Sequence, residues 1–89
     1  VYAVHVDIKG KRSNLGTLKG IANFGIRPTF NKKKPILEVY LFDFNLNIYH
    51  STLKVTFIDF IRKEKKFSGI ESLKKQLSKD ISKANKILR

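Results

Sequence analysis

The sequence predicts a mainly β domain: four or five antiparallel strands closed into a small barrel, with one C-terminal helix. Three observations carry this. Apolar residues alternate with polar ones over 1–8 and 51–61, and fill both faces of the stretch 36–44. Turn-rich runs of Gly, Pro, Asn and Lys separate these stretches. From Ile70 onward the apolar spacing switches from two to three and four. A small antiparallel sheet avoids open edges by closing, with a helix packed outside or over one end.

Taken in order, Tyr2, Val4 and Val6 form one side of a first strand and Ala3, His5 and Asp7 a wetter side. The polar run Lys9 to Asn14 reads as a hairpin turn. Leu15 to Phe24 resumes an extended pattern, with Gly16 and Gly20 marking a bulge or a close backbone approach. Gly25 ends that strand, and Gly25 to Pro35 reads as a turn-rich connection with a basic tip at Asn31 to Lys34. Pro35 leads into a central strand, Ile36 to Phe44. Asn45-Leu46-Asn47 is a turn, and Ser51 to Ile61 a further long strand. Arg62 to Phe67 (RKEKKF) is a charged loop. Ser68-Gly69-Ile70-Glu71 matches a capping box, with Ser68 as N-cap. Ile70, Leu73, Leu77, Ile81, Ala84 and Leu88 then mark an amphipathic helix of about five turns.

The 89 residues make one small domain or part of one, and the start at Val1, already in strand-like sequence, suggests a piece of a longer chain. Cysteine is absent, which rules out disulfides and thiolate metal sites and fits a reducing, cytoplasmic setting. His5 and His50 are too far apart in sequence to form a local metal motif. No stretch approaches the roughly 20 apolar residues of a membrane span, so no membrane partner is expected. Net charge is +12, and 15 of the 19 basic residues are Lys. Such an excess attracts polyanions, but lysine spread over a solvated surface is the plainer reading.

Glu38 is the most informative single residue. It is the one ionisable group in the middle of an apolar run and shares a strand face with Ile36, Tyr40 and Phe42. A carboxylate there must be paired, hydrogen-bonded or used. Pairing with Arg27 or a loop lysine is the structural alternative to catalysis.

Several motifs in order resemble a known family. GIANFGIRPTF (Gly20 to Phe30), LEVYLFDFN (Leu37 to Asn45), the stretch from Ile48-Tyr49 through LKVTFIDFIRKEKKF, and a helix ending in a Lys79-Asp80-Ile81 turn resemble the riboflavin kinase domain. In bacteria this domain is the C-terminal half of a bifunctional riboflavin kinase/FAD synthetase. The resemblance implies a closed antiparallel β-barrel of the riboflavin kinase type, incomplete at the N-terminus in these residues, with the first strands upstream and sheet edges exposed by their absence. It implies transfer of the ATP γ-phosphoryl group to the 5′-hydroxyl of riboflavin, with Mg²⁺, giving FMN. The parent chain would carry an N-terminal nucleotidyltransferase domain that adenylylates FMN to FAD.

Site roles follow by the same resemblance. Leu37-Glu38-Val39 matches the segment of the catalytic carboxylate. Arg62 and Phe67 match a loop beside the flavin, with Arg62 facing the substrate or Glu38 and Phe67 anchoring a lid. Tyr49 matches an aromatic position near the adenine, followed here by His50 where the family usually has Gly. Arg27-Pro28-Thr29 shapes a loop. The family's P-T-A-N motif, which binds the phosphates and Mg²⁺, is expected upstream of Val1, so no metal ligand is expected within these residues. Two other classes stay open: a basic β-barrel binding single-stranded nucleic acid through charge and stacking, and a non-catalytic assembly domain. Under the kinase reading no nucleic-acid partner is expected.

Overall fold

The structure is a computed structural model, and it describes residues 1–10, 13–48 and 50–89. Its strands are β1 (Tyr2–Ile8), β2 (Thr17–Thr29), β3 (Lys32–Leu41) and β4 (Leu53–Phe60), followed by one helix, α1 (Ile70–Ile87). They form a single antiparallel sheet in the order β3-β2-β1-β4. The mainly β class and the C-terminal helix are as expected. The closed barrel is not formed: among the described residues β3 and β4 are both edges, and the sheet stays open.

β1 is an interior strand, paired with β2 on one side and β4 on the other, and it buries side chains on both faces. Ala3 packs towards α1 with Val1, Ile21, Ile61, Ala84 and Leu88. Val4 and Val6 pack on the opposite face with Ala22, flanked by Leu18, Val39, Leu41, Leu53 and Val55. Burying one such valine contributes about 1.5–3 kcal/mol. Between Ala3 and Val4 the register against β4 slips by one residue. A slip of this kind re-aims side chains across a strand, and here it accompanies burial at both of these consecutive positions.

The hairpin β2–β3 departs from the sequence reading. Gly25 does not end a strand, and 25–35 is not a loop: β2 runs to Thr29 and β3 starts at Lys32. Only Phe30 and Asn31 lie between, with Asn31 in the left-handed region at φ 61° that Asn tolerates. Both prolines sit inside the paired stretch, Pro28 opposite Lys33 and Pro35 opposite Ile26. Pairing of β2 to β1 ends at Ala22, so the ribbon beyond has an unpaired side on each strand, which tolerates proline. The predicted central strand is therefore an edge. It ends at Leu41, not Phe44, and Lys32, Lys33, Lys34 and Pro35 lie along it, residues that discourage edge-to-edge pairing.

The capping box is also absent. The helix N-cap is Gly69, with no side-chain cap, and the Ser72 hydroxyl instead donates to the Gly69 carbonyl at 3.0 Å. Lys79-Asp80-Ile81 lies inside α1, which continues to Ile87. At His50 the backbone has φ 64°, the conformation a glycine there would favour. Tyr49 lies outside the described residues. No helix among them is long and apolar enough to cross a membrane.

Candidate functional site

A cavity of about 440 Å³ lies between the α1 side of the hairpin, the segment 61–67 and the first turns of α1. That size is within the usual range for small-molecule sites. β3 supplies Glu38 and Tyr40 to its wall, β2 supplies Asn23 and Arg27, the segment supplies Arg62, Glu64 and Phe67, and α1 supplies Leu73, Leu77 and Asp80. In a chain of net charge +12, three of the seven acidic residues line this one cavity. They are held by arginines, whose planar fork suits carboxylates better than a lysine.

Register explains the grouping. Asn23 is paired directly with Glu38, and residues two apart on a strand share a face. Asn23, Gly25 and Arg27 therefore line the face that carries Glu38. The Arg27 Nη2 donates to Glu38 Oε1 at 2.7 Å and its Nη1 to Glu64 Oε1 at 2.8 Å. The guanidinium is raised above its ordinary pKa, first by the hydrogen bond to Glu64, against desolvation, and then by Glu38. Glu38 is not enclosed, despite the apolar run it sits in. Its side chain is 58% exposed, because β3 is an edge strand with no neighbour on its outer side. The pairing with Arg27 considered from sequence is present.

Arg62 lies in the cavity wall but does not reach Glu38. Its Nε and Nη2 donate to the two oxygens of Asp80 at 2.9 and 2.8 Å, and Gln76 adds a third hydrogen bond at 3.0 Å. Asp80 is 1% exposed. Burial pushes its carboxyl up, but the hydrogen bonds from Arg62 and Gln76 and the Arg62 charge outweigh that and hold it below its ordinary value. Phe67 is half-buried. The Arg62 guanidinium carbon lies 5.9 Å from its ring centroid and the Lys65 ammonium 5.7 Å, within cation–π reach. The structure thus brings Glu38, Arg62 and Phe67 to one cavity.

Three participants were missed from sequence: Asp80, Glu64 and Asn23. Asp80 carries a readable signal. Together with Leu73, Leu77 and Ala84 it follows the spacing of the buried stripe of α1, so it is a carboxylate on a helix's apolar face. Asn23 sits in an apolar strand, and its Oδ1 is buried without a hydrogen-bond partner among the described residues. An acceptor left in that state costs about 1–3 kcal/mol. It is therefore a natural contact for a donor entering the cavity. Among the described residues no group of three or more His, Asp or Glu side chains could hold a metal ion.

Comparison with known proteins relates the whole chain to a family. The sequence matches the family described as riboflavin kinase (flavokinase) over residues 1–88. It is 40% identical over 87 residues to the bifunctional riboflavin kinase/FMN adenylyltransferase of Bacillus subtilis, covering 94% of this chain and 26% of that protein. The Haemophilus influenzae protein of the same name is 44% identical over 84 residues, covering 94% and 26%. An RNA-binding riboflavin kinase of Bacillus subtilis is 41% identical over 64 residues, covering 71% and 28%. Among solved structures, one described as a macrolide-efflux protein from Streptococcus pneumoniae superposes with a TM-score of 0.81 at 33% identity, over 94% of this chain and 26% of that one. The chain spans about a quarter of the length of the curated relatives it matches. It belongs to the riboflavin kinase family, homologous to the C-terminal region of the bacterial bifunctional riboflavin kinase/FMN adenylyltransferases.

Proposed function

We propose that this chain is the flavin-facing part of a riboflavin kinase, which moves the γ-phosphoryl group of ATP to the 5′-hydroxyl of riboflavin and yields FMN and ADP. The observation that carries this is the position of Glu38 at the cavity wall. Arg27 binds its Oε1, while Oε2 makes no hydrogen bond among the described residues. A carboxylate with one oxygen held and the other open can accept the hydrogen bond of an alcohol and fix its direction. As the new O–P bond forms, the hydroxyl proton passes to Glu38 and the bond to the bridging oxygen of ADP breaks. Phe67 supplies an aromatic wall for the flavin ring, and Arg62, anchored on Asp80, fixes the start of the segment that carries it. We assign Tyr49 to the adenine side on the family resemblance alone.

Among the described residues no group of three or more His, Asp or Glu side chains could hold Mg²⁺. The proposal assigns Mg²⁺ and the triphosphate to the family's P-T-A-N motif in a longer parent chain. In that parent the barrel closes and a nucleotidyltransferase domain adenylylates FMN to FAD, in a cytoplasmic protein. Glu38→Gln in the full-length protein is the test. Riboflavin binding should persist while FMN formation falls by about 10²- to 10⁴-fold, the usual loss when a general base is removed. Near-normal turnover would reduce Glu38 to a partner of Arg27.

A further inference from the structure

The segment 62–67 is tied at both ends. Arg62 is bound to Asp80, and Phe67 lies beside the Arg62 and Lys65 cations. Between them stand Lys63, Glu64, Lys65 and Lys66, all exposed. A polar stretch of that kind has nothing apolar to bury, so only a directed contact can hold its middle. Glu64 is its one acid, and it crosses the cavity to Arg27 on β2.

The crossing depends on a glycine. β2 directs Asn23, Gly25 and Arg27 to the same face, and at Gly25 that row has a gap. A Cβ at this position would overlap Glu64 Oε2 and Arg27 Nη1 and would stand 3.1 Å from Glu64 Cδ. The backbone at Gly25 is ordinary strand, not a positive-φ turn. Glycine is therefore not needed there for conformation; what it provides is room for the Glu64 carboxylate.

We propose that Arg27 is a positioning residue that latches the 62–67 segment over the cavity, its Nη2 holding Glu38 and its Nη1 holding Glu64 in the gap at Gly25. One guanidinium thereby couples closure to the state of the β3 carboxylate. With Glu64 docked, Arg27 gives Glu38 a single hydrogen bond and leaves one oxygen open. With Glu64 withdrawn, both arms of the fork are available to Glu38, and a bidentate grip closes off the oxygen that would receive a hydroxyl. The 62–67 segment is then both a cover for the cavity and the element that releases Glu38 for work. This rests on the riboflavin kinase reading for what occupies the cavity and for what Glu38 does; the latch itself does not.

The test uses amide hydrogen exchange across residues 63–66 in the full-length protein without ligand. Glu64→Ala removes the carboxylate, and Gly25→Ala fills its place while keeping the acid. Both should exchange about two- to fivefold faster than the unaltered protein, the range expected for loss of a partly exposed ion pair. Their thermal midpoints should stay near the parent's, since alanine suits the strand conformation at 25 and Glu64 is surface-exposed. In riboflavin turnover both should raise KM and lower kcat together, because cover and carboxylate are lost at once. Unchanged exchange in both variants would overturn the latch, whatever the activity. An unaltered protein that forms no FMN, yet shows the exchange difference, would remove the kinase reading and leave the latch standing.

Discussion

Asp80 and Arg62 behave as one residue energetically. Each alone in the wall of the cavity would be a charge with little water; together they satisfy each other through two parallel hydrogen bonds. Breaking a buried pair by removing one partner leaves the other uncompensated, at a cost of about 3–5 kcal/mol. Arg62→Ala is therefore expected to lower stability and is not a clean probe of ligand binding. The pH dependence has a definite sign. The Asp80 carboxyl lies below its ordinary value of 3.8 in the folded state. Its contribution is complete above that value and is lost as pH falls through the folded one. The share of stability that Asp80 contributes should thus be fully present above about pH 5 and be lost in acid. In thermal unfolding, Asp80→Asn should start lower than the unaltered protein at neutral pH and show a flatter acid limb. An identical acid limb in both would assign the loss to other carboxylates. From the sequence, Glu38 drew attention because it interrupts a strand. Asp80 interrupts a helix stripe just as clearly, but a lysine-rich helix hides one acid among many charges. The sequence directs Arg62 towards the substrate or Glu38, whereas its partner is Asp80, which emerges only when the apolar face of α1 is traced through its charges.

At the scale of elements, the hairpin decides where Glu38 stands, and its two central glycines do different things. A Cβ at Gly20 would overlap the Tyr40 carbonyl oxygen and lie 3.3 Å from the Tyr40 carbonyl carbon. That neighbour is backbone, so β3 must shift to accommodate it, and Tyr40 is two residues from Glu38. At Gly25 the neighbour is the tip of a flexible side chain. Gly20→Ala should therefore destabilise by about 1–3 kcal/mol, as overpacking does, while Gly25→Ala should change stability little. Chemical denaturation midpoints compare the two directly, and equal midpoints would contradict the distinction. The close approach at Gly20 was legible in the sequence, because a glycine inside an apolar strand has few other uses. The length of the hairpin was not. Two prolines and three lysines read as loop by propensity, and only the lack of a neighbour on each strand's outer side makes them admissible in a ribbon. Strand identity was readable from alternation; which strand lay at the edge depended on pairing that local sequence does not encode.

Across the whole molecule, the open sheet leaves more apolar surface than a closed barrel would. Phe57, Ile58 and Phe60 on β4 are 45%, 43% and 50% exposed, and Phe24, Ile26 and Tyr40 on the hairpin are each 56% exposed. Patches of this kind on a small protein mark surfaces that other chain segments or partners cover. Among the described residues the two edge strands, β3 and β4, add exposed backbone donors and acceptors. Opposing association is the net charge of +12, whose repulsion reaches about 10 Å at 0.1 M salt and only about 3 Å at 1 M. The polypeptide of these 89 residues, prepared by itself, should therefore stay dispersed at low ionic strength and self-associate as salt rises. It should bind a dye that reports apolar surface, and yield no FMN from riboflavin, ATP and Mg²⁺, since phosphoryl transfer depends on positioned metal and phosphate ligands. Light scattering across a salt series, with FMN fluorescence followed in parallel, measures both. A monomer at every salt concentration would show that the exposed faces are tolerated as they stand. FMN formed by this polypeptide would mean that the triphosphate and metal are held by residues within it, and the assignment to a longer parent would fall.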